Sequence, residues 1–239
     1  MVRISYEQMK NIFSNILRKE GFSEKRAQLL GALFTDNTLD GVSSHGVNRF
    51  PQFIQQCRSG VIKIEAEPVQ DNAFGALEQW DGGSGPGPLN AIFCTDRAMD
   101  IAWKYGIGCI GLRNNTHWMR AGFYGWRAAE KGFVFLCWTN TKPNMPPLYA
   151  KQPLVGNNPI VMAVPRSKGP LVLDMALSQF SYGKLEMYER TGRTMPYDAG
   201  YDAQGRLTDD PGKVLESGRI LPIGFWKGSG LAVMLDILA

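Results

Sequence analysis

Met9, Ile12, Phe13, Ile16 and Leu17 recur at the three- and four-residue steps of an amphipathic helix, behind Ser5 and Gln8 at capping-box spacing and ahead of Gly21 as a stop. Ser23 opens a second helix, whose apolar side carries Leu30, Leu33 and Phe34 and which runs out before the Asp40-Gly41 turn. Phe50, Phe53, Ile54 and Cys57 mark a third helix that ends near Gly60, with Pro51 setting it to start late. Beyond these helices the apolar runs shorten. Residues 75–80, 107–112, 133–139, 160–164 and 171–176 read as strands, and helices are predicted over 89–105, 123–130 and 181–189, with an apolar helix over 231–239. A helical start followed by strands alternating with helices predicts an α/β fold.

Length and composition narrow the class without naming a chemistry. At 239 residues the chain suits one compact body with a minor lobe. The net charge of +4 suits anionic small molecules, and no basic run of the nucleic-acid-binding kind occurs. Cys57, Cys94, Cys109 and Cys137 form no CxxC pair and have no histidines at ligand spacing, so no metal is expected and the thiols read as reduced core residues. The N-terminal stretch Met1-Val2-Arg3-Ile4-Ser5 lacks the apolar run of a signal peptide, and no uninterrupted apolar stretch of membrane-spanning length follows. A soluble cytoplasmic protein is the expectation.

The chemistry concentrates in Ser43-Ser44-His45-Gly46-Val47-Asn48-Arg49-Phe50, where an imidazole and a guanidinium lie four residues apart. An imidazole can give or take a proton near neutral pH, and the planar fork of arginine suits a carboxylate. Four residues of helix would bring Arg49 to the same side as His45. His117, in Asn114-Asn115-Thr116-His117-Trp118-Met119-Arg120, is the chain's other histidine and its natural partner. The glycine loop Asp81–Pro88 sits between a strand and a helix, but it lacks G-x-G-x-x-G spacing and its prolines remove amide donors, so it reads as a turn rather than a pyrophosphate cradle. Asp174 ends an apolar strand, as a turn residue or as an acceptor for a sugar hydroxyl or an imidazole. Lys227 and the small residues after it open the last helix, either as an amide anion site or as a close-packing surface.

With these residues in view, the chain resembles the malate/L-lactate dehydrogenase family of the non-Rossmann kind, and most closely its diketogulonate-reducing branch. The likeness rests on S-H-G-V-N-R-F at 44–50, N-N-T-H-W-M-R at 114–120, F-S-Y-G at 180–183, R-I-L-P at 219–222 and W-K-G-S-G at 226–230. It implies an NAD(P)-dependent oxidoreductase fold with a helical N-terminal lobe over 1–70 and a mixed-sheet cofactor- and substrate-binding core over 71–239. It further implies a homodimer that uses NADH to reduce an anionic 2-keto sugar acid, 2,3-diketo-L-gulonate to 3-dehydro-L-gulonate, with no membrane or nucleic-acid partner. Other 2-keto acids, such as pyruvate or oxaloacetate, are the alternative substrates of the same resemblance, and an inactive binding module is the alternative of another class. The resemblance puts the proton donor on His45, the carboxylate clamp on Arg49 and a second active-site imidazole on His117. Cofactor contacts fall on Leu173, Asp174, Met175 and Ala176 and on Trp226 and Lys227.

Two departures from the family pattern stand out. Family members commonly carry G-T-N-P where this chain has Gly156-Asn157-Asn158-Pro159, and they continue past the helix that runs to Ala239. The second departure implies a core truncated at its C-terminal end. Leu231, Val233, Met234, Leu235, Ile237 and Leu238 then predict a last helix buried on all sides, whose covering would lie beyond the chain.

Overall fold

The computed structural model describes residues 3–147 and 150–239. Met1 and Val2, from the stretch read as free of a signal peptide, and Leu148 and Tyr149 lie outside the described residues. The chain forms two compact units, Met1–Phe133 and Val134–Ala239, and the helical segment expected over 1–70 lies inside the first.

In the first unit the predicted capping box is present at the start of α1 (Tyr6–Lys19): the Gln8 amide donates to Ser5 Oγ and the Ser5 amide to Gln8 Oε1. Helices α2 (Glu24–Leu39) and α3 (Phe50–Arg58) follow, and the apolar positions named above interlock as rings. Phe50 lies with its centroid 4.2 Å from Phe13 and 5.0 Å from Phe34, and Phe34 lies 5.3 Å from Phe53, all four buried. This cluster welds the start of α3 onto the first two helices.

The rest of that unit is a three-stranded mixed sheet, β1 (Val69–Phe74), β2 (Leu77–Asp81) and β3 (Cys109–Arg113), with β1 antiparallel and β3 parallel to β2. The parallel pair needs a crossover, which α4 (Gly87–Tyr105) supplies. Glu78 on β2 is buried and takes two bonds from Arg97 of α4, at 2.6 and 2.9 Å, plus one from Trp80 Nε1. Helix α5 (Gly122–Glu130) completes the unit. Strand β1 escaped the pattern because every one of its residues is exposed, so neither alternation nor an apolar run marks it, and pairing with β2 alone defines it.

The second unit holds an antiparallel sheet of β4 (Phe135–Trp138), β5 (Ile160–Val164) and β6 (Leu171–Met175), then α6 (Tyr182–Arg190), the short pair β7 (Gly200–Tyr201) and β8 (Leu207–Thr208), α7 (Pro211–Ser217) and α8 (Trp226–Leu238). Leu177, Leu185, Val214, Ile220, Ala232 and Leu235 lie in its core. The departure at 156–159 is a junction: buried Asn158 accepts from the Thr141 amide and donates to the Ala232 carbonyl, while Asn157 Oδ1 accepts from Thr141 and Asn144. Helix α7 went unpredicted because its seven residues are too few to show a helical period.

Two expectations are tested here, one of them corrected. In helix α8, apolar on all sides, Ala232 and Leu235 face the core while Leu231, Met234, Ile237 and Leu238 are exposed, as expected of such a helix without its covering. The cysteines are all free, and burial pushes Cys57 and Cys94 up to about 12 and Cys137 higher still, but Cys109 lies exposed on β3 and is not a core thiol. Among the described residues no helix is long and apolar enough to cross a membrane, and no cluster of His, Cys, Asp and Glu could hold a metal.

Two glycine substitutions separate packing from propensity. A Cβ on Gly31 would run into Ser14 Oγ and lie 3.0 Å from the Lys10 carbonyl, so Gly31→Ala should overpack the α1–α2 contact and cost about 1–3 kcal/mol in urea unfolding. Gly230, within α8, has open space around the same atom, so Gly230→Ala should gain roughly 0.5–1 kcal/mol from helix propensity alone. Equal effects at the two sites would show that α1 and α2 do not approach so closely.

Candidate active site

His45 is set in place by the end of α2. Val42 N–H bonds the Asn37 carbonyl at 2.8 Å, and a short 3₁₀ turn over Ser43–His45 follows. Fully buried Asn37 donates from Nδ2 to the His45 carbonyl at 3.0 Å. Thr38 Oγ1 accepts from the Val47 amide at 2.9 Å and donates to the Phe34 carbonyl at 2.7 Å. Between these anchors Gly46 lies so close to α2 that a Cβ would strike Thr38 Oγ1 and come within 3.0 Å of the Phe34 carbonyl. The glycine of S-H-G is therefore required by contact, not by an unusual φ, which is −111°.

Arg49 is the N-cap of α3, and Phe50 is its first residue. His45 and Arg49 thus do not share a helical turn, and the spacing argument that put them on one face is corrected. The 3₁₀ turn and the non-helical residues 46–49 bring the guanidinium near the imidazole instead, close enough for its charge to act on both histidines.

His117 stands in the loop behind β3, and its ring centroid lies 5.7 Å from that of His45, with the planes 28° apart. Met119, at φ +67°, turns its amide onto His117 Nδ1 at 3.0 Å. A backbone N–H can only donate, so Nδ1 is the acceptor and the neutral ring carries its hydrogen on Nε2. His45 Nδ1 lies 3.1 Å from Ser44 Oγ, a hydroxyl that can act either way.

Both imidazoles are held neutral at pH 7. Burial, then the charges of Arg49 and Arg120, push His45 down to about 4. His117 is likewise lowered to about 4; part of its surface reaches solvent, yet enough protein surrounds the ring for burial to remain the main cause, ahead of His45 and Arg49. The two arginines differ in their neutralisation. Arg120 is ion-paired with Asp40, whereas Arg49 bonds the neutral Gln52 and has no carboxylate in ion-pair range among the described residues. Sequence reasoning missed Asn37, Asp40 and Arg120 as neighbours of the pair. Arg120 stands in the His117 run, and Asp40 carries only a turn signal in the sequence.

The stretches carrying the remaining candidates meet in the second unit. The chain leaving β6 runs beside the approach to α8, with the Ile223 amide bonding the Leu177 carbonyl at 2.9 Å and Ser178 bridging to Pro222. Leu173 is exposed on the same sheet face as Leu136 and Met162, its register partners through β5; Asp174 is exposed one residue on, followed by half-buried Met175 and Ala176. The start of α8 resolves an alternative left open above. The amides of Lys227, Gly228 and Ser229 bond the carbonyls of Gly224, Ile223 and Phe225, and a Cβ on Gly228 would meet the Ile223 carbonyl. Close packing, not amide display, explains Gly228. What remains for a ligand is the exposed Trp226 indole, the Lys227 ammonium and a cavity of about 780 Å³ beside Trp226, lined by Lys151, Arg219, Tyr201 and Gln204 with no carboxylate among its described lining residues. An aromatic face beside several cations suits a ligand with both a flat ring and phosphate groups.

Comparison with known proteins supplies the lineage. The chain is 48% identical over 238 residues to a 2,3-diketo-L-gulonate reductase of Pasteurella multocida and 46% identical to one of Klebsiella pneumoniae, covering all of this chain and 71% of each relative. Among solved structures it resembles the delta1-piperideine-2-carboxylate reductase of Pseudomonas syringae, at TM-score 0.93 and 30% identity over 100% of this chain and 72% of that one. It also resembles the malate dehydrogenase of Entamoeba histolytica, at TM-score 0.94 and 27% identity over 100% and 70%. These are dehydrogenases and reductases whose mixed α/β architecture is that of a non-Rossmann oxidoreductase. With the malate/L-lactate dehydrogenase model matching residues 4–239, the chain belongs to that family.

Proposed function

We propose that this chain is an NAD(P)H-dependent reductase of a 2-keto sugar acid, with 2,3-diketo-L-gulonate as its substrate. The relatives at 46–48% identity support the substrate, and one observation carries the chemistry: two neutral imidazoles stacked beside a single uncompensated guanidinium. Arg49 offers a bidentate site for one carboxylate. Arg120 is already neutralised by Asp40, so the pocket favours a monoanionic keto acid over a dicarboxylate such as oxaloacetate.

A nicotinamide cofactor, when bound, supplies the hydride. Trp226, Lys227 and the strand end from Leu173 to Ala176 are the residues proposed to hold it, by aromatic contact and charge. NADH is the reductant that the family resemblance implies, whereas the cations Lys151 and Arg219 are what would admit a 2′-phosphate. A strong preference for NADPH at saturating keto acid would overturn NADH and leave the reaction class intact.

His45 is the proton donor, and its resting neutrality sets how it acts. An entering carboxylate offsets the Arg49 charge that disfavours imidazolium, so His45 gains its proton as the substrate arrives and releases it to the alkoxide oxygen formed at the ketone carbon. His117, holding its hydrogen on Nε2, donates to the same oxygen as charge develops there. The free thiols and the exposed apolar sheet face of Leu136, Met162 and Leu173 are in keeping with a cytoplasmic homodimer.

Three outcomes follow for measurement. His45→Ala should lower kcat for NADH oxidation by about 10²- to 10⁴-fold, and a loss of only a few-fold would exclude it as donor. With the free imidazole near 4, its protonated fraction falls with rising pH across neutrality, so log kcat/KM for keto-acid reduction should fall by about one unit per pH unit from pH 6 to 8. The reverse oxidation, which needs neutral His45 as base, should stay flat over that range, and a reductive midpoint near the ordinary histidine value would overturn this account. Arg49→Lys should raise KM for the keto acid well above any change in cofactor Kd, because an ammonium cannot form the two parallel bonds; equal losses for both ligands would make Arg49 a structural residue.

A further inference from the structure

We infer that Thr116 and Gly87 form a positioning clamp that holds His117 in the orientation from which its Nε2–H faces the reacting oxygen. The inference rests on the proposed role of His117, but the clamp is visible without it. The Gly87 amide donates to Thr116 Oγ1 at 2.8 Å, and the same hydroxyl donates to the Gly85 carbonyl at 2.7 Å, so one side chain ties both ends of the Gly85–Gly87 turn to the residue before His117. A Cβ on Gly87 would collide with the Thr116 carbonyl and come within 2.5 Å of the His117 carbonyl. The helix-start backbone of α4 is thus pressed directly against the backbone of the histidine itself.

The contact is reinforced along its length. Ser84 N–H bonds the Asn114 carbonyl at 2.8 Å, Gly82 N–H bonds the Arg113 carbonyl at 2.9 Å, and the almost fully buried Asn90 donates to both the Gly82 carbonyl and Asn115 Oδ1 at 3.0 Å. These bonds hold the loop up to Thr116, and the Met119 amide on Nδ1 fixes the ring beyond it. His117 itself has no other hydrogen bond holding its ring among the described residues, so ring orientation depends on the path of its backbone, which Thr116 and Gly87 define. Thr116 touches no reacting atom in this scheme; it is a positioning residue.

The chain's two histidines make the test direct. In protein with ¹⁵N-labelled histidine, long-range proton–nitrogen spectra at pH 7 should show His117 as the pure Nε2–H tautomer. Thr116→Val, which keeps the shape and removes the hydroxyl, should convert this to a mixture of tautomers, leave the His45 signals in place, and lower kcat about 10- to 100-fold through misplacement, with the cofactor Kd unchanged. Thr116→Ser should restore the parent spectrum and bring kcat within a few-fold. Gly87→Ala, which acts by bulk and not by a lost hydroxyl, should give the same tautomer mixture. A parent spectrum retained in both Thr116→Val and Gly87→Ala would overturn the clamp, as would equal losses in the Val and Ser variants. Because the spectra need no turnover, an unchanged clamp in an inactive protein would count against the reductase reading alone.

Discussion

The seating of Gly46 against the last turn of α2 is the contact on which the candidate site depends. Thr38 satisfies the Val47 amide and its own helix carbonyl with one hydroxyl, and Asn37 reaches past it to the His45 carbonyl. No side chain fits between them at position 46. The ring cluster of Phe13, Phe34, Phe50 and Phe53 holds α3 to the same two helices, so His45 and Arg49 are mounted on one rigid helical body although neither lies inside an α-helix. Burial of apolar rings thereby fixes the separation between the His45 imidazole and the Arg49 guanidinium.

That rigidity gives the electrostatics their meaning. A half-buried imidazole next to two guanidiniums stays neutral, and the His117 ring stacked 5.7 Å from it is lowered by burial first and by His45 and Arg49 next. The arrangement is therefore short of one negative charge. Asp40 answers Arg120, whereas Arg49 meets only the neutral Gln52 among the described residues.

Much of the scaffold was legible in the sequence because local rules and burial agree there. The Ser5 capping box, the apolar faces of α1 to α3, strands β5 and β6 and the Ser181 cap all appear where periodicity put them. Elements whose identity depends on a partner were not legible: β1 is a strand because β2 lies beside it, and α7 is short and begins at a proline. In the site, residue types pointed to His45, Arg49 and His117, but the route between them did not follow from spacing. The i, i+4 argument assumed a helix, whereas a 3₁₀ turn and four non-helical residues make the approach. Asn37 left no signal, since an asparagine near a helix end is ordinary until the chain folds back over it.

The glycine loop between β2 and α4 shows why the order strand, glycines, helix does not by itself make a phosphate cradle. A phosphate cradle requires amides that point at a ligand. Here the amides of Gly82, Gly83, Ser84, Gly85 and Gly87 are all spent inside the protein, on Arg113, Asp81, Asn114, Gly82 and Thr116 in turn. The start of α8 is closed in the same way by the carbonyls of Ile223, Gly224 and Phe225. Both glycine-bearing helix starts that invite an anion are thus occupied from within the protein, one docking the loop that carries His117 and the other packing the last helix. In the second unit the charged groups left open are those of side chains, the ammonium of Lys227 and the cations beside Trp226, an arrangement unlike the amide cradle of a Rossmann fold.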